Sequence, residues 1–398
     1  MITLRARAPV SELAVVLATA ALLAFAALAA SGCSVMRSSS VIEACNMSEG
    51  AIARAVQLST TPTLVLAAGG DVMFDRGVRS IVGRRGSGWP LGAVAHVFRG
   101  ADLGFVNLET ALSNRGERLP GKGIWFRSDP SFGGILCDAG IGVVSLANNH
   151  ALDYGREAFA DTVRTLDAAG VARCGGGLTI TEACKPAIVQ RNGITLAFLA
   201  YSELAPVFWS WTNPQTFIAG KNYPGIPGWN TRQILEDIKH AKQVADHVIV
   251  SFHWGDEYVR KPAERQMELG RAAIDAGASV VLGHHPHVLQ PVELYGSGVI
   301  FYSLGNFVFD QRKEAMQQSM IARIVFTSEF VEAAQVIPVR IEDCRPRPLN
   351  SWAAKAAVAK MDAGSTALGT RVVFAAGRGH VMGGSIGGAL LRSLEHLY

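Results

Sequence analysis

An apolar run at residues 279–283 ends in His284, His285, Pro286 and His287, and the proline governs how those imidazoles can be used. Pro286 fixes its own φ, has no N–H to donate, and pushes His285 towards extended backbone. Side chains two apart in an extended segment share a direction. His285 and His287 are therefore expected to face one point, as two imidazole ligands of one metal ion must, while His284 turns away from them. Two polar histidines on a surface loop are the plainer reading.

Groups that bind metals or move protons also follow other apolar stretches. Asp71 comes after 63–68, Asn107 and Glu109 after 103–106, and Asn149 and His150 after 143–147. Glu203 comes after 196–200, His253 with Asp256 and Glu257 after 248–252, and Asn306 with Asp310 after 299–302. Stretches that are apolar at nearly every position read as strands buried on both faces. In sheets covered by helices, ligands gather beyond the carboxyl ends of such strands. Polar residues in that position after strand upon strand point to one shared site.

The elements between them read as helices. Residues 156–169 carry Phe159, Val163 and Leu166 at helical spacing and stop at Gly170. Asn230 reads as an N-cap, with Gln233 completing a capping box ahead of Ile234, Leu235 and Ile238. Residues 263–276 end at Gly277 in the same manner. Alternating strands and helices predict an α/β layered domain over residues 62–345. Residues 205–229, with Phe208, Trp209, Trp211 and Trp229 among prolines and glycines, are too long for an ordinary connector. They read either as a wall or lid facing substrate or as a flap over the core. Residues 346–398 carry no motif and read as a C-terminal extension, either a packed helix or a loose appendage.

At the other end, Arg5 and Arg7 precede an alanine-rich apolar stretch at 13–30, followed by Ser31, Gly32 and Cys33. Residues 1–33 read as a lipoprotein-type signal peptide with Cys33 as the lipidated residue, and residues 34–61 as a tether. An uncleaved anchor is the alternative, since the apolar stretch is about long enough to span a bilayer. Both readings place the remainder outside the cytoplasm, anchored at the membrane. The net charge of +4 is compatible with a polyanionic ligand or an anionic membrane surface, and no nucleic-acid partner is expected. Lipidation of Cys33 would leave an odd number of the six cysteines. Cys174 and Cys184, flanking three glycines, are the expected disulfide in an oxidising compartment, and Cys137 is expected as a small buried hydrophobe.

Six motifs in register carry a resemblance. They are Gly70-Asp-Val-Met73, Asn107-Leu-Glu109, Asn148-Asn-His150 with Asp153 and Gly155, His253-Trp-Gly-Asp-Glu-Tyr258, Gly283-His-His-Pro-His287 with Gln290, and the run from Ser303 to Gln311. Over residues 64–312 the chain resembles the bacterial CapA-type capsule synthesis family, the poly-γ-glutamate synthesis proteins. That family is similar in outline to the calcineurin-like metallophosphoesterases. The resemblance therefore implies a four-layer αββα sandwich, metallo-dependent phosphatase-like, with Asp71, Glu109, Asn149, His253, His285 and His287 as metal ligands. It implies His150 as the group that protonates a leaving atom, with Asp153 also in the catalytic set, and Asn107, Glu257, Asn306 and Asp310 as support. Imidazole, carboxylate and amide ligands suit one or two divalent ions of manganese, iron or zinc.

The departures from the phosphoesterase pattern are Met73 where a histidine is usual, Glu109 in place of a bridging aspartate, and no arginine at 107–112. They predict a weakened or missing second metal. The implied function is that of an envelope lipoprotein in synthesis or export of a poly-γ-glutamate-type capsule, with a hydrolase-like site. Its implied partners are an anionic capsule polymer, the membrane through a lipid anchor, and capsule synthase membrane proteins. The alternatives are a metallophosphoesterase and a non-catalytic polymer-binding or export component.

Overall fold

Each stretch read as a doubly buried strand is a strand in the computed structural model, which describes residues 62–207 and 216–383. The expected signal segment, the lipidation site Cys33, the tether and the aromatic residues Phe208, Trp209 and Trp211 lie outside the described residues. In chain order the strands are β1 (Leu64–Val72), β2 (Leu103–Leu108), β3 (Ala111–Leu112), β4 (Arg127–Ser128), β5 (Ile141–Ser145), β6 (Ala172–Cys174), β7 (Ala187–Arg191), β8 (Ile194–Ser202) and β9 (His247–His253). They continue with β10 (Val280–His284), β11 (Val292–Tyr295), β12 (Gly298–Phe301), β13 (Asn306–Val308), β14 (Gln318–Phe326), β15 (Val331–Glu342), β16 (Arg345–Pro348), β17 (Thr370–Ala375) and β18 (Arg378–Gly383).

The larger sheet runs β17-β18-β15-β14-β1-β2-β5-β6, with β13 beside β1 and β16 beside β15. The smaller runs β11-β12-β10-β9-β8-β7. Within them β1, β2, β5 and β6 are parallel, as are β8, β9, β10 and β12.

Side-chain alternation along β8 shows how the layers are built. Leu196, Phe198 and Ala200 pack into the core shared with the larger sheet. Ala197, Leu199 and Tyr201 turn the other way, onto Ile234 and Ile238 of the helix Thr231–Lys242. Phe105 of β2 stacks on Phe198 across the two sheets, their ring centroids 5.7 Å apart. Gly104, on the opposite face of β2, lies against Phe98 of the helix Ala95–Arg99. Helix, sheet, sheet and helix thus follow one another, the α/β four-layer order expected, because every central strand has two apolar faces to cover. No helix among the described residues is long and apolar enough to cross a membrane.

The helix expected at 156–169 is Gly155–Ala168, with Phe159, Val163 and Leu166 buried. Asn230 caps its helix by accepting from Gln233 N at 3.1 Å. The reciprocal half of the capping box is not made, because the Gln233 side chain donates to Asp237 Oδ1 at 2.8 Å instead. The helix Glu264–Asp275 is followed by Gly277 at φ 113°.

Of the two readings offered for residues 346–398, the packed helix is the one present: the helix Ser351–Thr366 packs Val358 into the main core, and β18 pairs with β15. Two expectations are corrected. Cys174 and Cys184 are free thiols, Cys174 Sγ donating instead to Val144 O at 3.6 Å. Cys137 is exposed, since the helix Phe132–Asp138 turns Leu136 inward and its neighbour outward.

Candidate metal centre

Two glycines set the positions of the first ligands. A Cβ on Gly70 would lie 1.9 Å from Gly305 O, and one on Gly283 would lie 1.9 Å from Tyr302 O. Only residues without a side chain allow these backbones to approach so closely, and each glycine is followed by a site residue, Asp71 or His284. Asp71 N donates to Gly305 O at 3.0 Å, and Glu109 N donates to Val72 O at 2.8 Å, tying the ends of β1, β2 and β13 together. The carboxyl ends of the parallel strands in both sheets then face one another, as ligand-gathering ends do.

Asp71 and Glu109 are fully buried, whereas Asn149, His150, His285 and His287 keep 4–6% exposure. Asn107 Nδ2 donates to Asp71 Oδ1 at 2.8 Å and lies 3.3 Å from His253 Nδ1. Asn148 Nδ2 in turn donates to Asn107 Oδ1 at 3.2 Å. His253 Nε2 is 2.9 Å from Asn149 Oδ1 and 3.8 Å from Glu109 Oε1. His253 and His285 have ring centroids 4.7 Å apart. His287 Nδ1 stands 3.6 Å from Asp71 Oδ2 and 2.9 Å from Asn306 Oδ1. All six expected ligands are thus brought together, with Asn107 and Asn306 holding them.

The site holds one further histidine. His284, expected to turn away, is fully buried with its Nδ1 3.1 Å from Asp71 Oδ1. Its direction follows from β10, where Val280 and Leu282 face the larger sheet and His284 shares their parity. The extended alternation fails only after it: His285 has φ 94° and His287 φ 58°, values rare for residues with a side chain and found at strained functional turns. The turn, not a straight strand, brings His285 and His287 back to the site.

His150 is oriented by Asp153, whose Oδ2 lies 2.6 Å from its Nδ1. Its Nε2 points inward, 3.8 Å from Glu109 Oε1, and its ring stacks on Phe126 at 4.0 Å. Sequence reasoning missed Lys122, which is nearly fully buried, pairs with Asp153, donates to the Asn149 carbonyl and sits 3.2 Å from His150 Nδ1. The available signal was its setting between Gly121 and Gly123, both with positive φ, which mark a tight turn.

Two of the expected supporting residues stand apart. Glu257 is exposed, although its charge is felt by Glu109, Lys122 and His285. Asp310 is one layer further out, pairing with Arg76 and accepting from Gly77 N at 3.0 Å at the start of the helix Arg76–Arg85. Glu203 and Asp256 both pair with Arg265 outside the cluster. Met73 lies in the apolar core and its Sδ accepts from Asp75 N at 2.9 Å.

Burial would raise the Asp71 carboxyl, but the His284 hydrogen bond, the charges of His284 and His287, and the Asn107 amide hold it below its ordinary value. Glu109 is pushed well above its ordinary value, first by burial and then by the charge of Asp71. Burial lowers His150 and His285 each to about 4 and drives His253 well down.

These residues fit a divalent cation. Both Glu109 carboxylate oxygens, His284 Nε2 and His285 Nδ1 are buried without a hydrogen-bond partner, an arrangement that is costly unless something else satisfies them. Ligand atoms of Asp71, Glu109 and His287 lie within 4.8 Å of one another, close enough to converge on one ion with ligand distances near 2 Å.

Residues 65–311 match the family described as "Bacterial capsule synthesis protein PGA_cap". The chain is 33% identical over 282 residues to the PGA biosynthesis protein CapA of Bacillus subtilis, covering 70% of this chain and 72% of that protein. It is 32% identical over 293 residues to the capsule biosynthesis protein CapA of Bacillus anthracis, covering 71% and 68%. Among solved structures, it is similar to a putative 5′-nucleotidase from Staphylococcus aureus at 14% identity and a TM-score of 0.43, covering 72% of this chain and 54% of that one.

Proposed function

The chain belongs to the bacterial capsule synthesis protein family PGA_cap, and from that premise we propose that it acts in the cell envelope in synthesis or export of a poly-γ-glutamate-type capsule. In this reading it is held at the membrane through lipidated Cys33, works beside capsule synthase membrane proteins, and trims amide-linked anionic polymer at a metal-dependent site. The observation that carries the hydrolytic part is the Glu109 carboxylate, buried among imidazoles and Asp71 with neither oxygen hydrogen-bonded.

Asp71, Glu109, Asn149, His253, His285 and His287 would hold the cation, with His284 and Asn107 orienting Asp71. A bound manganese, iron or zinc ion would supply Lewis acidity towards a substrate carbonyl. His150 supplies the proton chemistry. Its Nδ1–H is held by Asp153, which leaves Nε2 as the atom that takes a proton from the water adding to the amide carbonyl and returns it to the nitrogen as the C–N bond breaks. Asp153 stabilises the imidazolium formed in between, and Lys122 fixes Asp153 and the Asn149 main chain so that this geometry persists. Neutral at pH 7 because burial lowers it to about 4, His150 begins the cycle as a base.

Met73 in the core leaves no imidazole at the position where phosphoesterases carry one, which ranks phosphate esters below the polymer as substrate. The test is incubation of the full chain with manganese and poly-γ-glutamate, with chain length followed by gel electrophoresis. Metal-dependent shortening that falls about 10²-fold or more in His150→Ala supports the reading. Polymer binding without shortening replaces it with the non-catalytic export role, and fast turnover of p-nitrophenyl phosphate replaces it with the phosphoesterase.

A further inference from the structure

The helix Ser351–Thr366 has two working faces. Ala354, Val358, Met361 and Ser365 are buried against the protein. Ala353, Ala356, Ala357, Lys360 and Gly364, at three- and four-residue spacing, line one wall of a groove of about 550 Å³, within the range of about 300–1,000 Å³ usual for small-molecule sites. The groove extends along the helix from Trp352, near Leu349 and Pro338, to Gly364, near Pro291. At 1.5 Å per residue that is roughly 18 Å. Its floor is mainly Ala, Pro, Val, Leu and Met, and Trp352 at its lip is 83% exposed, where a single large apolar side chain gains nothing from folding.

Charge gives the groove a sign. Arg260, Arg340 and Lys360 line it against Glu314 alone. Arg340 is the register partner of Gln318, to whose Oε1 Arg260 Nη2 donates at 3.3 Å, so both arginines stand at one flank of the groove, with Arg340 Nε also 4.0 Å from Glu342 Oε1. An apolar trough with a basic flank matches a ligand with an aliphatic body and an anionic head. A folded protein partner needs about 800 Å² per side for a standard interface, which asks for more than a trough of this size.

We propose that this groove binds a single-chain anionic amphiphile, an acyl or alkyl chain headed by a carboxylate or phosphate, with the chain along Ala353, Ala356 and Met361 and the head at Arg260 and Arg340. The groove shares Leu289, Gln290 and Pro291 with the segment that directly follows the site turn at His285 and His287. An occupant therefore touches the chain that begins two residues beyond His287.

The test is isothermal titration of the full chain with tetradecanoate and with tetradecyl phosphate, below their aggregation concentrations, beside neutral tetradecanol. Saturable binding at one site per chain is expected, with tetradecanol at least fivefold weaker. Ala356→Glu, an exposed position whose new carboxylate lies on the trough, should weaken tetradecanoate at least tenfold. The exposed Trp352→Ala serves as a second variant whose fold is not at risk and should weaken it at least threefold. Arg260→Glu with Arg340→Glu should remove the preference for the charged head while leaving tetradecanol unchanged. Absence of saturable binding, or equal affinity in Ala356→Glu and Trp352→Ala, overturns the proposal. Binding of an acidic peptide but of neither amphiphile overturns it in favour of a protein partner.

Discussion

His253 Nε2 stands 2.9 Å from Asn149 Oδ1, so the end of β9 in the smaller sheet and the turn after β5 in the larger meet side chain to side chain. Both atoms belong to the surroundings of Glu109, whose Oε1 is 3.8 Å from His253 Nε2. If the two residues serve one ion, their removal is not additive. A double-mutant cycle of Asn149→Ala and His253→Ala, read as manganese affinity by titration calorimetry, should give a coupling of about 1 kcal/mol or more. Additivity within about 0.3 kcal/mol would mean that the pair merely packs.

His284 supports Asp71 from full burial, and residues that orient a metal ligand typically contribute 10–100-fold in affinity. His284→Ala should therefore weaken metal binding by at least tenfold with little change in global fold. Metal affinity unchanged in that variant would return His284 to a packing role.

Burial, and then the charge of Asp71, push the Glu109 carboxyl well above its ordinary value, so a cation that binds it competes with a proton. The apparent metal affinity should rise with pH, by up to about tenfold per unit while one proton is released. Titrations in buffers of different ionisation enthalpy count that proton directly. Release that is unchanged in Glu109→Gln would assign the proton to another group.

His150 has a folded value of about 4 against about 6.5 when unfolded. Its neutral form is favoured by folding, so its contribution is complete above pH 6.5 and is lost as pH falls through 4, about 3 kcal/mol in all. Glu109 acts with the opposite sign, because its raised carboxyl contributes at low pH and loses that contribution as pH rises. The two separate in a comparison of chelator-treated chain with its His150→Gln variant, whose urea stability should fall less steeply between pH 6.5 and 4. Parallel pH profiles would show that His150 is not buried neutral.

Much of this centre was legible because doubly buried strands leave continuous apolar runs, and the polar residue that ends such a run marks its carboxyl end. That logic located Asp71, Glu109, His253 and the turn at 284–287. It misjudged His284, since alternation counted from the proline ignores that His285 and His287 adopt positive φ, while the parity of Val280 and Leu282 decides where His284 points. Lys122 was hidden because a lysine between two glycines has no periodic pattern, and its burial comes from a loop folding over His150. β14 and β15 escaped notice for a related reason: at the wide flank of the larger sheet one face is only partly covered, so Arg323 and Gln335 interrupt the apolar pattern. Asp310 satisfied the strand-end rule, yet a neighbouring helix start and Arg76 claim its carboxylate.

The central claim is that Glu109 and its neighbours form a cation site, and metal stoichiometry tests it most directly. The full chain and its Glu109→Gln variant are dialysed against manganese and then against metal-free buffer, and metal per chain is counted by plasma mass spectrometry. The account predicts about one tightly held ion per native chain and a loss of at least tenfold in Glu109→Gln at unchanged circular dichroism. A native chain that retains no ion, or a variant that retains as much as the native chain, would contradict it.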